Sequence, residues 1–168
     1  MIKTHPSYQY ARAVLRGEKK APKYVILQCA QFVHVAGGES KKYVVDEEKL
    51  QVIENLLELM IMPKGLKARQ TVRESLAGFQ RLFIVAVLCT VWRDNREKRR
   101  YQTAILEICR KNGKTFLVAV IFILLFLTEP KFSKGDTAQR KVRNCAARFF
   151  VRRDKNRSKY CMYSRGFL

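Results

Sequence analysis

Glu107-Ile108-Cys109-Arg110-Lys111-Asn112-Gly113-Lys114-Thr115 stands between two apolar runs, residues 101–106 and 116–127. The first run reads as a buried strand and the second as an apolar helix. A Gly-Lys-Thr placed where a strand gives way to a helix is the core of a phosphate-binding loop. The glycine lets the backbone approach a phosphate, and the first amides of the helix point at its oxygens. Lys114 would reach the β- and γ-phosphates as a point charge, and the Thr115 hydroxyl would help hold Mg²⁺. The full spacing G-x-x-x-x-G-K-[ST] places a glycine where this chain has Ile108. From chemistry alone the stretch is therefore either a nucleotide site or a basic surface turn.

The 168 residues carry 34 Lys+Arg against 14 Asp+Glu, a net charge of +20, with 48% hydrophobic residues. That content is too apolar for a wholly disordered chain and far more basic than an ordinary enzyme. It implies a polyanion nearby, nucleic acid first and an anionic membrane surface second. The five cysteines form no C-x-x-C pair, and three of them lie in apolar runs where cysteine behaves as a small hydrophobe, so a reducing compartment is expected. His5 and His34 have no cysteine or carboxylate at ligand spacing, so no zinc site is expected. Residues 1–15 lack the continuous apolar core of a signal peptide. The run 116–127 falls short of the ~20 residues that span a bilayer, so it is expected to be a buried core helix.

Along the chain, Pro6-Ser7 opens a short helix stopped at Gly17, and Pro22 starts a second that ends at Gly37-Gly38. Val25, Ile26, Cys29, Phe32 and Val33 supply its apolar face. Tyr43-Val44-Val45-Asp46-Glu47 has the look of a Walker B strand. Its apolar stretch is one residue short, and an amphipathic helix follows at once. Asp46 is better read as the N-cap of that helix, with Glu47 and Glu48 in its first turn. Leu50, Ile53, Leu56, Leu57 and Met60 form its apolar face up to about Met62, and Pro63 and Gly65 stop it. A basic linker spans 64–73, a buried helix 82–92 and a charged turn 93–100. Residues 131–168 hold 12 Lys/Arg against 2 Asp, half of the excess charge, and show no sustained apolar period. The second apolar strand that a βαβ unit requires is not visible there.

Several segments taken together resemble the large terminase subunit of tailed bacteriophages, the motor that packages DNA into procapsids. The resemblance covers about residues 10–133. It rests on Tyr10-Ala11-Arg12-Ala13-Val14-Leu15-Arg16-Gly17, Tyr43-Val44-Val45-Asp46-Glu47-Glu48, Pro63-Lys64-Gly65, Leu76-Ala77-Gly78-Phe79-Gln80, and the stretch from Arg99-Arg100 to Thr115. The order and spacing of these motifs carry it. The family's loop tolerates a missing first glycine, so Ile108 fits.

The resemblance implies an α/β fold: a helical region over 1–75, an incomplete P-loop NTPase domain with a parallel sheet over 76–133, and a basic irregular tail over 134–168. It also implies ATP and Mg²⁺ as cofactors. Gln80 would read the adenine edge, since its amide donates and accepts at once. Arg110 would stabilise charge on the transferred phosphoryl group. Lys111, Asn112, Gly113 and Lys114 would cradle phosphate, with Lys114 also catalytic, and Thr115 would take the metal. Implied partners are double-stranded DNA, a small terminase subunit and the portal of a procapsid. Intact members would form a homo-oligomeric ring in the bacterial cytoplasm, away from any membrane. Two departures stand out. Arg81 follows the glutamine where the family has an apolar or aromatic residue. Beyond about Ser133 the expected Walker B strand, catalytic glutamate, coupling motif and nuclease domain do not follow, as in a frameshifted or prophage-remnant copy. The competing expectation is a non-enzymatic basic protein that binds nucleic acid or a membrane surface.

Overall fold

The computed structural model describes residues 2–62, 69–108 and 112–128, together with two short backbone strands at 149–150 and 161–163. A 3₁₀ turn, Ile2–Thr4, leads into helix α1, Pro6–Leu15. Pro6 occupies its first turn, where a missing N–H is harmless, and His5 caps it by accepting from the Ser7 amide through Nδ1. Gly17, at φ +79°, ends the excursion. Helix α2, Lys23–Ala36, buries Val25, Cys29 and Phe32 as its helical spacing predicts, while Ile26 on the next face is exposed. Pro22 is its N-cap, one position earlier than a first-turn proline.

Strand β1, Tyr43–Val45, is followed immediately by α3, Glu47–Leu59. Asp46 is the N-cap, its Oδ1 accepting from the amides of Glu48 at 3.1 Å and Lys49 at 3.2 Å. This carboxylate thus satisfies two orphan donors of the helix and cannot serve as a Walker B acid while it does so. Leu50, Ile53 and Leu57 are buried on one face. The expected Pro63 and Gly65 stop and most of the basic linker lie outside the described residues. A short helix α4, Val72–Ser75, capped by Thr71, leads into α5, Gly78–Cys89.

Helix α5 is the centre of the core. Leu82, Phe83, Ile84, Val85, Val87, Leu88 and Cys89 are all buried, so it is apolar around nearly its whole circumference, as befits a helix surrounded by protein. Sequence pattern suggested a helix as far as Trp92. The helix instead ends at Cys89, and Thr90–Trp92 forms β2, antiparallel to β1, with Tyr43 opposite Trp92. Thr90 and Val91 are β-branched, and the partner strand takes up their backbone groups. The Tyr43 and Trp92 rings meet edge to face at 5.0 Å.

Strand β3, Ala104–Glu107, precedes α6, Lys114–Thr128. Leu117, Val120, Ile121, Leu124 and Leu125 face the core, whereas Ile123, Phe126 and Leu127 are exposed. No helix among the described residues is long and apolar enough to cross a membrane. The tail corrects one expectation, since two of its short apolar runs form strands. Phe149–Phe150 (β4) pairs parallel with one edge of β3, and Cys161–Tyr163 (β5) pairs antiparallel with the other. A strand of four residues leaves amides and carbonyls to be satisfied on both edges, and segments this short show no period in sequence. The fold is mixed α/β and mainly helical, with a two-stranded antiparallel ribbon and a three-stranded mixed sheet in the order β4-β3-β5. An all-parallel sheet is not among the described strands.

Helices α1 and α5 pack against each other at Gly78, where a Cβ would come within 2.4 Å of the Tyr10 ring. Gly78→Ala should therefore cost about 1–3 kcal/mol in urea unfolding, and the loss should shrink in a Tyr10→Ala background. An equal loss in both backgrounds would contradict a steric origin.

Candidate nucleotide site

Strand β3 and the start of α6, with Asn112 and Gly113 directly before the helix, flank one corner. Ala104 and Leu106 are buried on β3, and Ile108 beyond it is 1% exposed. The position where the full glycine pattern is broken is thus a core residue. Gly113 has φ +71°, in the left-handed region that glycine adopts without strain. Its carbonyl accepts from the Leu117 amide at 2.9 Å, the first bond of α6. The amides of Lys114, Thr115 and Phe116 belong to the first turn of α6, where helix geometry provides no intrahelical acceptor. These donors and the positive end of the helix dipole together favour an anion. Lys114 is half-buried and Thr115 exposed at the head of this helix. Arg110 and Lys111 lie outside the described residues.

The second half of the site comes from α5. Gln80 is 8% exposed. Its Oε1 accepts from the Ala77 amide at 3.0 Å, closing the start of α5. Its Nε2 donates to the Asn112 carbonyl at 3.4 Å, and a Cβ on Gly113 would approach that same nitrogen to 3.2 Å. The glutamine and the loop, 32 residues apart, are therefore in contact. A primary amide has two N–H groups and two oxygen lone pairs, and Gln80 spends one of each on the backbone. The other two could pair with the edge of a base.

Arg81 does not crowd this region. Its Nη2 donates to the Arg73 carbonyl, and its charge acts on Glu54. Glu54, 6% exposed, is the hub of a buried polar network. Its Oε1 is 2.9 Å from His5 Nε2 and its Oε2 2.9 Å from Arg73 Nε, while Arg73 Nη1 also reaches Glu58 at 2.7 Å. His5 Nδ1 in turn meets Ser7 Oγ at 2.7 Å. Burial pushes the Glu54 carboxyl up, but the His5 hydrogen bond and the charges of His5, Arg81 and Arg73 outweigh it. The group is held below the ordinary carboxylate range.

Both histidines have carboxylate partners that sequence spacing did not show, since His34 Nδ1 is also 2.9 Å from Glu39 Oε2. Each pair has a single carboxylate, and no cluster able to hold a metal occurs among the described residues. Magnesium at the corner would have the Thr115 hydroxyl as its protein ligand and take its other oxygens from phosphate and water. The buried cysteines Cys29 and Cys89 are free thiols. Burial raises Cys29 to about 11 and Cys89 further, so neither is a nucleophile near neutral pH.

Gly113→Ala should lower stability by about 1–2 kcal/mol and weaken any anion bound at the α6 terminus, as read by urea melts and phosphate titration. Because Glu54 is depressed in the folded state, its contribution is present above the ordinary glutamate value of 4.5 and is lost as pH falls through the lower folded value. Glu54→Gln should reduce stability at pH 7 and flatten the acid side of the stability curve; an unchanged acid limb would contradict this. Comparison with known protein families, curated proteins and solved structures finds no match, so the site stands on its geometry.

Proposed function

We propose that this chain binds ATP with Mg²⁺ as the nucleotide-binding front part of a DNA-packaging motor of the large-terminase type. The observation that carries the reading is the contact between Gln80 and the Asn112 carbonyl. Two motifs expected to grip opposite ends of a nucleotide lie against one another. The left-handed Gly113 and the apolar α6 that follows supply the context a phosphate loop requires.

In this reading the amides of 114–116 and the Lys114 ammonium hold the phosphates. Thr115 orients the metal, Gln80 meets the base edge, and Arg110 and Lys111 extend the loop's positive charge. The P-loop NTPase fold, double-stranded DNA, a small terminase subunit, a portal, a ring of copies and a bacterial cytoplasmic setting all belong to the same proposal. The metal supplies charge neutralisation between the phosphates when bound. Catalysis would further need a group to position and deprotonate the attacking water; residues 116–168 offer one glutamate, Glu129, outside any recognisable catalytic motif, so turnover by these 168 residues should be very slow.

ATP at a hundredfold over its dissociation constant should stabilise the protein by about 2.7 kcal/mol, raising the melting temperature by roughly 5–10 °C. Lys114→Ala should abolish that shift. No shift at millimolar ATP, or a shift indifferent to Lys114→Ala, would overturn the nucleotide site. Brisk Lys114-dependent turnover would overturn the incomplete-motor reading. The +20 net charge favours one other reading, a basic protein that binds polyanions through its tail. DNA binding that survives Lys114→Ala and disappears on removal of residues 135–168 would support that instead.

A further inference from the structure

Strand β3 ends at the corner before α6, and both of its edges are paired with strands from the basic end of the chain. The registers differ along its length. Phe149 and Phe150 of β4 pair with Ala104 and Ile105, the half of β3 away from the corner. Tyr163, Met162 and Cys161 of β5 pair with Ile105, Leu106 and Glu107. β5 therefore reaches the last residue of β3, and β4 does not. β5 also lies against α2, a helix anchored in the core through Val25, Cys29 and Phe32.

The backbone groups of a strand set in apolar surroundings need partners. Ala104, Leu106 and Ile108 are all buried, so β3 runs through the core up to the corner. Without β5 the last three residues of β3 lose the ladder on that edge, and the point where the chain leaves the strand is free to shift. The corner has two anchors. Asn112, directly before Gly113, is tied by the Gln80 amide, and Glu107, where β3 ends, is tied by its pairing with Cys161. Ligands of α/β sheets sit off the carboxyl ends of the strands, and the amides that begin α6 are presented at that end of β3. Amides grip an anion well only when they are held in place beforehand.

We propose that β5 is a positioning element of the nucleotide site, and that its pairing with β3 sets the affinity of the corner for a polyphosphate chain. The inference rests on the nucleotide reading and extends it to residues 161–163, beyond the part of the chain that resembles terminases. The role is one of backbone geometry and not of charge. It acts on the phosphates and not on the base.

Calorimetric titration of the full chain with ATP and with inorganic tripolyphosphate, each with Mg²⁺, tests this. Met162→Pro removes an N–H from the middle of β5 and changes no charge. It should weaken both ligands by the same factor, about tenfold. Met162→Val, which keeps the ladder, should bind both as the native chain does. Phe150→Pro, on the pairing away from the corner, should weaken them less than about twofold, and so should Arg152→Gln/Arg153→Gln, which lowers the tail's charge outside β5. Equal losses in Met162→Pro and Phe150→Pro would indicate a general loss of stability and overturn the proposal. So would an equal loss in the arginine variant, which would assign the effect to charge, or a loss confined to ATP, which would place it at the base. Native affinity in Met162→Pro overturns this role alone, whereas no binding by the native chain overturns the nucleotide reading beneath it.

Discussion

The side-chain amide of Gln80 bridges the start of α5 and the corner before α6. The oxygen of Gln80 closes the first turn of α5 on the Ala77 amide, and its nitrogen holds the Asn112 carbonyl next to Gly113. A neutral hydrogen bond contributes only about 1 kcal/mol, and one at 3.4 Å less. Its importance is positional. Asn112 precedes Gly113, whose backbone is left-handed, so anchoring its carbonyl biases where the α6 amides point. The close approach of Gly113 to the same nitrogen makes the two positions interdependent.

Charge is distributed unevenly in the fold. In a chain of +20 the buried ionic network is built around an anion, Glu54, contacted by His5 and Arg73 and influenced by Arg81. It draws together the entry to α1, the middle of α3, and the α4–α5 region. Buried ion pairs add little net stability against an apolar alternative, but removing one partner strands the other. The network therefore fixes how these elements sit together more than how strongly they hold. It also keeps Arg81 turned toward Arg73 and Glu54, away from the glutamine that precedes it.

Local chemistry was legible in the residues, and distant pairing was not. Asp46 as a helix cap, Gly17 and Gly38 as helix ends, and a strand followed by an apolar helix around 104–128 all follow from neighbours in sequence. The strand at Thr90–Trp92 was hidden because its residues continue the apolar pattern of α5, and only its partner 45 residues earlier makes it a strand. The His5–Glu54 bridge spans 49 residues and leaves no periodic trace. The strands at 149–150 and 161–163 are too short to register beside so many basic residues. Arg110 and Lys111 rest on the sequence resemblance.

Helix α5 passes into β2 without an intervening residue, Cys89 being the last of one and Thr90 the first of the other. Its twelve residues measure about 18 Å, and close packing on nearly every side leaves little room to bend. The amide that touches the loop is at one end of this rod, and the ribbon that delivers the chain to α3 is at the other. Gln80 and Thr90 are therefore held at a fixed separation by one secondary-structure element with no intervening loop.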